Sequence, residues 1–205
     1  MPSMRFPPDA FKRWDDTPDG AFYAMPRLVT HIDDGAIAAV TEAYRQLFPA
    51  GGVILDLMSS WVSHLPADIA FAEVVGLGMN AEELAANPRL TQGLVHDLNR
   101  DPRLPFEDRR FDAALCCVSV QYLQRPLEVF SEVRRVLRPG SPFAVTFSNR
   151  CFPTKAVAIW RALDLAGHAH LVRLYCERAG FTGIAARILA DGMHGDPLIV
   201  VQGLA

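Results

Sequence analysis

The chain has 205 residues, half of them hydrophobic, and a formal charge of −3. That length and apolar fraction support one sizeable core, and so slight a charge gives no general attraction to nucleic acid or to an anionic membrane. No segment approaches the apolar length of a membrane span, and MPSMRFPPDAFKRWDD has neither an apolar h-region nor a cleavage signature, so a cytoplasmic protein is expected.

Residues 1–32 are proline-rich and irregular, with aromatic anchors at Phe6, Phe11, Trp14, Phe22 and Tyr23. This predicts an arm packed on the domain rather than a free tail. Within it Tyr23, Arg27 and His31 recur at four-residue steps, which would put them on one helix face. A single domain, residues 33–205, follows. A helix is expected from about Asp33 to Phe48, with Asp33 and Asp34 at its positive end and Ile37, Val40, Tyr44 and Leu47 as its buried stripe. Strands are expected over 53–57, 74–77 and 93–96. A helix over 81–87, stopped by Pro88, separates the last two.

Phe106 to Asn149 reads as strand, helix, turn, strand. Ala113 to Val120 is a short apolar run suited to a strand buried on both faces. Pro126 suits a first helical position, and Leu127, Phe130, Val133, Val136 and Leu137 place an apolar stripe on the helix that follows. Arg138-Pro139-Gly140 closes it, and Phe143 to Phe147 is again strand-like. Two strands joined by a covering helix make a parallel βαβ unit, so the fold class is α/β. Helices near 154–167 and 168–179, then strands over 184–189 and 198–202, complete the chain. The four cysteines, Cys116, Cys117, Cys151 and Cys176, form no CxxC pair and have no histidine spacing of a zinc site, so no metal is expected. Cys116 and Cys117 would point to opposite faces of their strand. Cys151 follows a strand end, as a packing residue or a thiol at a ligand site.

Leu104-Pro105-Phe106-Glu107-Asp108, Phe111-Asp112 and Leu137-Arg138-Pro139-Gly140-Ser141 together resemble the second half of class I S-adenosylmethionine-dependent methyltransferases, of the type 11-like kind. The likeness extends upstream through Val53 to Leu57, Val74 to Gly78 and Val95 to Leu98, and downstream to Ala179-Gly180-Phe181. Three further stretches, DLxSSWVSHLP, GMNAEEL and FSNRCFxTKA, are similar to an uncharacterised subgroup. The resemblance implies a Rossmann-like, seven-stranded, mostly parallel sheet with helices on both faces, its seventh strand antiparallel between the fifth and sixth. It also implies S-adenosyl-L-methionine as cofactor and methyl transfer to a small-molecule acceptor.

Candidate site residues belong at the carboxyl ends of the strands. The resemblance gives Asp56, at the end of the first strand, a place facing the cofactor's ammonium side; read by itself, Asp56 caps a turn. The expected glycine-rich turn is replaced by Met58-Ser59-Ser60, where serine hydroxyls stand in for bare amides as donors to a carboxylate. Gly78 occupies the place of the family's ribose-binding acid. Met79 then packs on the adenine, and Asn80 is a ribose contact or a helix cap. Asp97 would accept the adenine amino group with Leu98 beside it, and Ser119 lies where the family walls the sulfonium. Substrate-binding candidates are Tyr23, Arg27, Tyr122, Asn149 and Arg150. Tyr122 orients substrate or only packs, and Asn149 and Arg150 fix a polar acceptor or form a turn and a surface ion pair. The arm, in the resembling family, often serves as a lid. No catalytic residue is assigned, and His31 and His64 are read as structural. The alternative is a non-catalytic protein of the same fold that binds a nucleoside-like ligand or a protein partner. A nicotinamide dehydrogenase is disfavoured by the missing GxGxxG. Nucleic-acid methylation is disfavoured by the missing Asn-Pro-Pro-aromatic signature.

Overall fold

The computed structural model describes residues 6–205; the first five residues of the arm lie outside them. In chain order the elements are α1 (Asp19–Phe22), α2 (Asp34–Leu47), β1 (Val53–Ser59), β2 (Glu73–Gly78), α3 (Ala81–Ala86), β3 (Gln92–Val95), β4 (Ala113–Cys117), α4 (Pro126–Val136), β5 (Pro142–Phe147), α5 (Ala158–Arg161), α6 (Leu165–Ala179), β6 (Thr182–Ala190) and β7 (Leu198–Leu204). The sheet order is β3-β2-β1-β4-β5-β7-β6, with β7 antiparallel to both neighbours and the other pairings parallel.

Alternation along the strands divides the core between the two faces of the sheet. Leu55, Leu57, Ala114, Cys116, Phe143 and Val145 pack with Phe130, Val133 and Val136 of α4 and Tyr175 of α6. Ile54, Ala113, Leu115 and Ala144 pack instead with Val40 and Tyr44 of α2. The expected stripe of α4 is thus the buried one, except that Leu127 is only partly buried and Val129 joins it. Cys116 and Cys117 do point to opposite faces.

Four elements differ from expectation. β4 stops at Cys117 rather than Val120, because Val118 adopts φ 43° and the chain then turns into a 3-10 helix, Val120–Tyr122. The helix expected over 154–167 is reduced to α5. α6 starts early, at Leu165, because the Asp164 side chain accepts from the Gly167 amide and caps it there. Residues 24–33 form no helix, so Tyr23, Arg27 and His31 share no helical face.

From Phe6 onward the arm packs on the domain. Phe6 and Phe11 lie against Tyr175 with ring centroids 5.9 and 6.3 Å away. Backbone bonds from Ala158 and Ile159 to the carbonyls of Lys12 and Ala10 hold its next stretch. Beyond it Lys155, fully buried, donates to the Thr17 carbonyl at 2.6 Å and lies 3.4 Å from both Asp15 and Asp19. Asp19 also accepts Arg13 at 2.7 and 2.9 Å. Trp14 is an exception: it is 71% exposed, stacked only under the Arg161 guanidinium.

Candidate functional site

The strand order reverses between β1 and β4, and at that switch point the carboxyl ends of the parallel strands splay apart. A cavity of about 540 Å³ opens there, within the roughly 300–1,000 Å³ usual for small-molecule sites. The ends of β1 to β4 form its floor and one wall. The arm, from Asp19 to Asp33, closes it from above.

β1 runs two residues further than expected. Met58 takes φ 57°, the register with β2 slips between Leu57 and Ser59, and Ser59 then lies beside Gly78. This turn is held by side chains rather than by glycines. Asp56 Oδ2 accepts the hydroxyls of Ser59 at 2.6 Å and Ser63 at 2.5 Å. Asn87 donates to the Ser63 hydroxyl and the Ser60 carbonyl, both at 2.9 Å, and the Ser60 hydroxyl donates to Glu83 at 2.7 Å. Burial pushes the Asp56 carboxyl up to about 7, and the two serine hydroxyls offset only part of that. In this arrangement the Ser59 and Ser60 hydroxyls bond Asp56 and Glu83 rather than pointing at a ligand carboxylate.

At the end of β2 the space beside Gly78 is filled. A Cβ there would collide with the Ser59 carbonyl oxygen, so the bulged β1 leaves no room for an acid on this strand. Met79 lines the cavity, but Asn80 does not. The Asn80 oxygen caps α3 through the amides of Glu82 and Glu83, and its nitrogen donates to the Tyr23 and Ala24 carbonyls. Of its two readings, the cap is the one observed.

Asp97 follows β3 and faces the cavity beside Leu98. Its Oδ1 accepts the amides of Asn99 at 3.0 Å and Arg100 at 3.2 Å, while Oδ2 has no partner among the described residues. Asn99 then ties this turn to the arm and to the 3-10 helix after β4, donating to Asp19 at 2.8 Å and to the Tyr122 carbonyl at 2.9 Å. Ser119 lines the cavity with its hydroxyl 3.3 Å from the Cys116 sulfur. Beside it Val118 holds a positive φ that a β-branched residue rarely adopts, a strain of the kind found at functional sites.

The Tyr122 hydroxyl accepts the Phe152 amide at 2.8 Å, and the two rings stack 6.0 Å apart, so this tyrosine positions the loop after β5 while lining the cavity. Burial pushes its hydroxyl up to about 12. Asn149 is exposed and off the cavity, bonded to Ser148. Arg150 stands at the rim, paired with Asp196 at 3.0 Å, and Cys151 lines the wall next to it. From the arm, Tyr23, Arg27 and His31 all reach the cavity, brought there by an extended path. The Arg27 guanidinium lies over Phe22 at 4.6 Å and over Phe152 at 5.5 Å. His31 and His64 have no hydrogen-bond partner for their rings among the described residues, and burial holds both below the ordinary imidazole range.

Sequence reasoning missed Glu83, Asn99 and Asp196. Glu83, with Glu82, reads in the sequence as the solvated first turn of a helix, yet it is buried at the cavity wall, where the Ser60 hydroxyl and the Arg27 amide bond its carboxylate. Asp196 arrives from the β6–β7 turn, exchanging backbone–carboxylate bonds with Asp33 at 3.0 and 2.5 Å. No local pattern announces that contact. No group of three or more histidine, cysteine or acidic side chains suited to a metal occurs among the described residues. No helix among them is long and apolar enough to cross a membrane.

Residues 59–145 match the methyltransferase domain family. A methyltransferase of Penicillium fellutanum, phqN, is 38% identical over 80 residues, 36% of this chain and 24% of that protein. The chain spans about a quarter or less of the curated relatives it matches. Among solved structures, the [4+2]-cyclase SpnF superposes with TM-score 0.64 at 18% identity, over 90% of each chain. A SAM-dependent methyltransferase from Aquifex aeolicus superposes with TM-score 0.60 at 15% identity, over 83% of this chain and 90% of that one. The sheet order and these superpositions give the chain the fold of these proteins, with the cavity at its switch point, and residues 59–145 are similar to the methyltransferase domain family.

Proposed function

We propose that the chain transfers a methyl group from S-adenosylmethionine to a small-molecule acceptor held under the arm. The observation that carries this reading is the switch-point cavity, with Asp97 presenting a free carboxylate oxygen at the end of β3. The residues present fit the cofactor. Its adenine amino group would meet Asp97 Oδ2 beside Leu98. Its sulfonium and ammonium are cations, and Asp56, Glu83 and Asp97 line the cavity. Its carboxylate would meet Arg27 or the unpartnered imidazoles of His31 and His64 rather than the serines. When bound, the cofactor supplies a methyl group already activated on a cationic sulfur.

Methyl transfer from such a centre is an in-line displacement, for which positioning and exclusion of water provide much of the catalysis. Tyr122 fixes the Phe152 loop, and Phe22, Tyr23 and Phe152 gather around Arg27. These groups wall the acceptor side. The arm from Asp19 to Asp33 lies over the cavity as its lid. Polar or carboxylate-bearing acceptors suit Arg27 and Arg150.

A second reading is favoured by the turn after β1. Its hydroxyls are committed inward and its glycines are gone, which suits a protein that binds a nucleoside-like ligand or a partner without turnover. Incubation with methyl-labelled S-adenosylmethionine and pools of small acceptors separates the two. Acceptor-dependent release of S-adenosylhomocysteine supports transfer. Binding without release from any pool supports the second reading.

A further inference from the structure

We propose that Glu83 on α3 is the acid that takes the ribose hydroxyls of the bound nucleoside, in place of the strand-end position that this chain has closed. The inference rests on the nucleoside-binding part of the function proposed above.

Two independent observations lead to it. First, position 78, the last of β2, has no room for a side chain. Met58 turns with φ 57°, β1 bulges, and the Ser59 carbonyl takes the space a Cβ on Gly78 would need. A vicinal diol in a mostly apolar cavity still needs acceptors, since each buried hydroxyl left unpaired weakens binding. Second, Glu83 is an acid held at the neighbouring wall. It stands in the first turn of α3, directly after β2, is only 8% exposed, and lines the cavity.

Its orientation is fixed from both sides. Oε2 accepts the Ser60 hydroxyl and Oε1 accepts the Arg27 amide, each at 2.7 Å. A carboxylate has about four lone-pair positions, so each oxygen keeps capacity for one further donor. Two further donors are what the two hydroxyls of a ribose supply. The same contacts give Glu83 a second consequence. Because Arg27 belongs to the arm, one of the two bonds that place the acid forms only when the arm lies over the cavity, which couples ribose recognition to arm closure.

The test compares S-adenosylhomocysteine with its 2′-deoxy and 3′-deoxy forms by calorimetric titration, on the wild-type chain and on Glu83→Gln and Glu83→Asp. The wild type is expected to bind the ribo form about ten- to a hundredfold more tightly than either deoxy form, the range for hydrogen bonds to a charged group. Glu83→Gln should bind the ribo form more weakly and lose most of that preference, and Glu83→Asp, whose carboxylate is withdrawn by one methylene, should lose part of it. A residue that only tethers Ser60 to the arm would change all three affinities together and leave the ratios intact. Wild-type binding without a ribo preference, or a preference that survives in Glu83→Gln, overturns the inference while leaving the methyltransferase reading standing. If the wild type binds none of the three, the reading and the inference fall together.

Discussion

The carbonyl oxygen of Ser59 occupies the space that a side chain on residue 78 would fill, so the end of β2 is closed by β1. Restoring an acid there is therefore expected to fail. Gly78→Asp should lower stability by about 1–3 kcal/mol, the usual range for forcing extra atoms into a packed site. It should also weaken rather than strengthen S-adenosylhomocysteine binding. Urea unfolding and titration of the variant check both; tighter binding would show that β1 yields and the closure is not real.

Asp56 links the same turn to pH. Its carboxyl is raised from 3.8 to about 7 by burial, so between those values the folded chain keeps a proton that the unfolded chain has lost. The folded state then binds more protons, and this site's contribution to stability falls as pH rises from about 4 to about 7, levelling above that. In Asp56→Asn the contribution is absent. The stability of the variant relative to wild type should thus climb across that window. Urea unfolding at pH 4.5, 6 and 8 measures it, and a difference that stays constant with pH contradicts the assignment.

The anchor of the arm is ionic and buried. Asp19 serves Arg13, Lys155 and Asn99 at once, with its side chain 5% exposed. Asp19→Ala leaves two buried cations short of a partner and is expected to cost about 3–5 kcal/mol. Lys155→Met leaves Asp19 still paired with Arg13 and should cost less. Thermal melts of the two variants give the order, and cleavage by a protease should move into residues 6–30 of Asp19→Ala first. Equal and small losses would mean that aromatic packing, not the charge cluster, holds the arm.

At the other end of the cavity, Asp97 has one committed oxygen and one free. Asp97→Asn can keep the turn through its amide oxygen but presents a donor where the acceptor stood. It should bind S-adenosylhomocysteine about tenfold more weakly with its melting temperature unchanged, whereas Asp97→Ala loses the turn as well. Unaltered affinity in Asp97→Asn would remove the adenine assignment.

The strands and α4 were legible in the sequence because they are set by local signals. Apolar runs between turn residues gave β1, β2, β4 and β5, and the stripe from Phe130 to Val136 with Pro126 before it gave α4. The site residues at strand ends, Asp56, Gly78, Asp97 and Ser119, followed from the strands and from the resemblance. What escaped depends on distant contacts. The four-residue spacing of Tyr23, Arg27 and His31 suggested a helix, yet the arm is pulled straight by Trp61 donating to the Val29 carbonyl, by Asn80 bonding Tyr23 and Ala24, and by Glu83 bonding Arg27. The start of α6 turned on whether Asp164 would cap, a choice that the neighbouring Gly167 left open in the sequence. The inward use of the Ser59 and Ser60 hydroxyls was invisible because their acceptors, the buried Asp56 and Glu83 five residues past β2, are brought to them only by the fold.

The account turns on whether the cavity holds the cofactor despite its glycine-free turn. Calorimetric titration of the purified chain, stripped of carried-over ligand, with S-adenosylmethionine and S-adenosylhomocysteine tests that most directly. The account predicts that both bind at one site per chain. No heat of binding for either at millimolar concentration would contradict it.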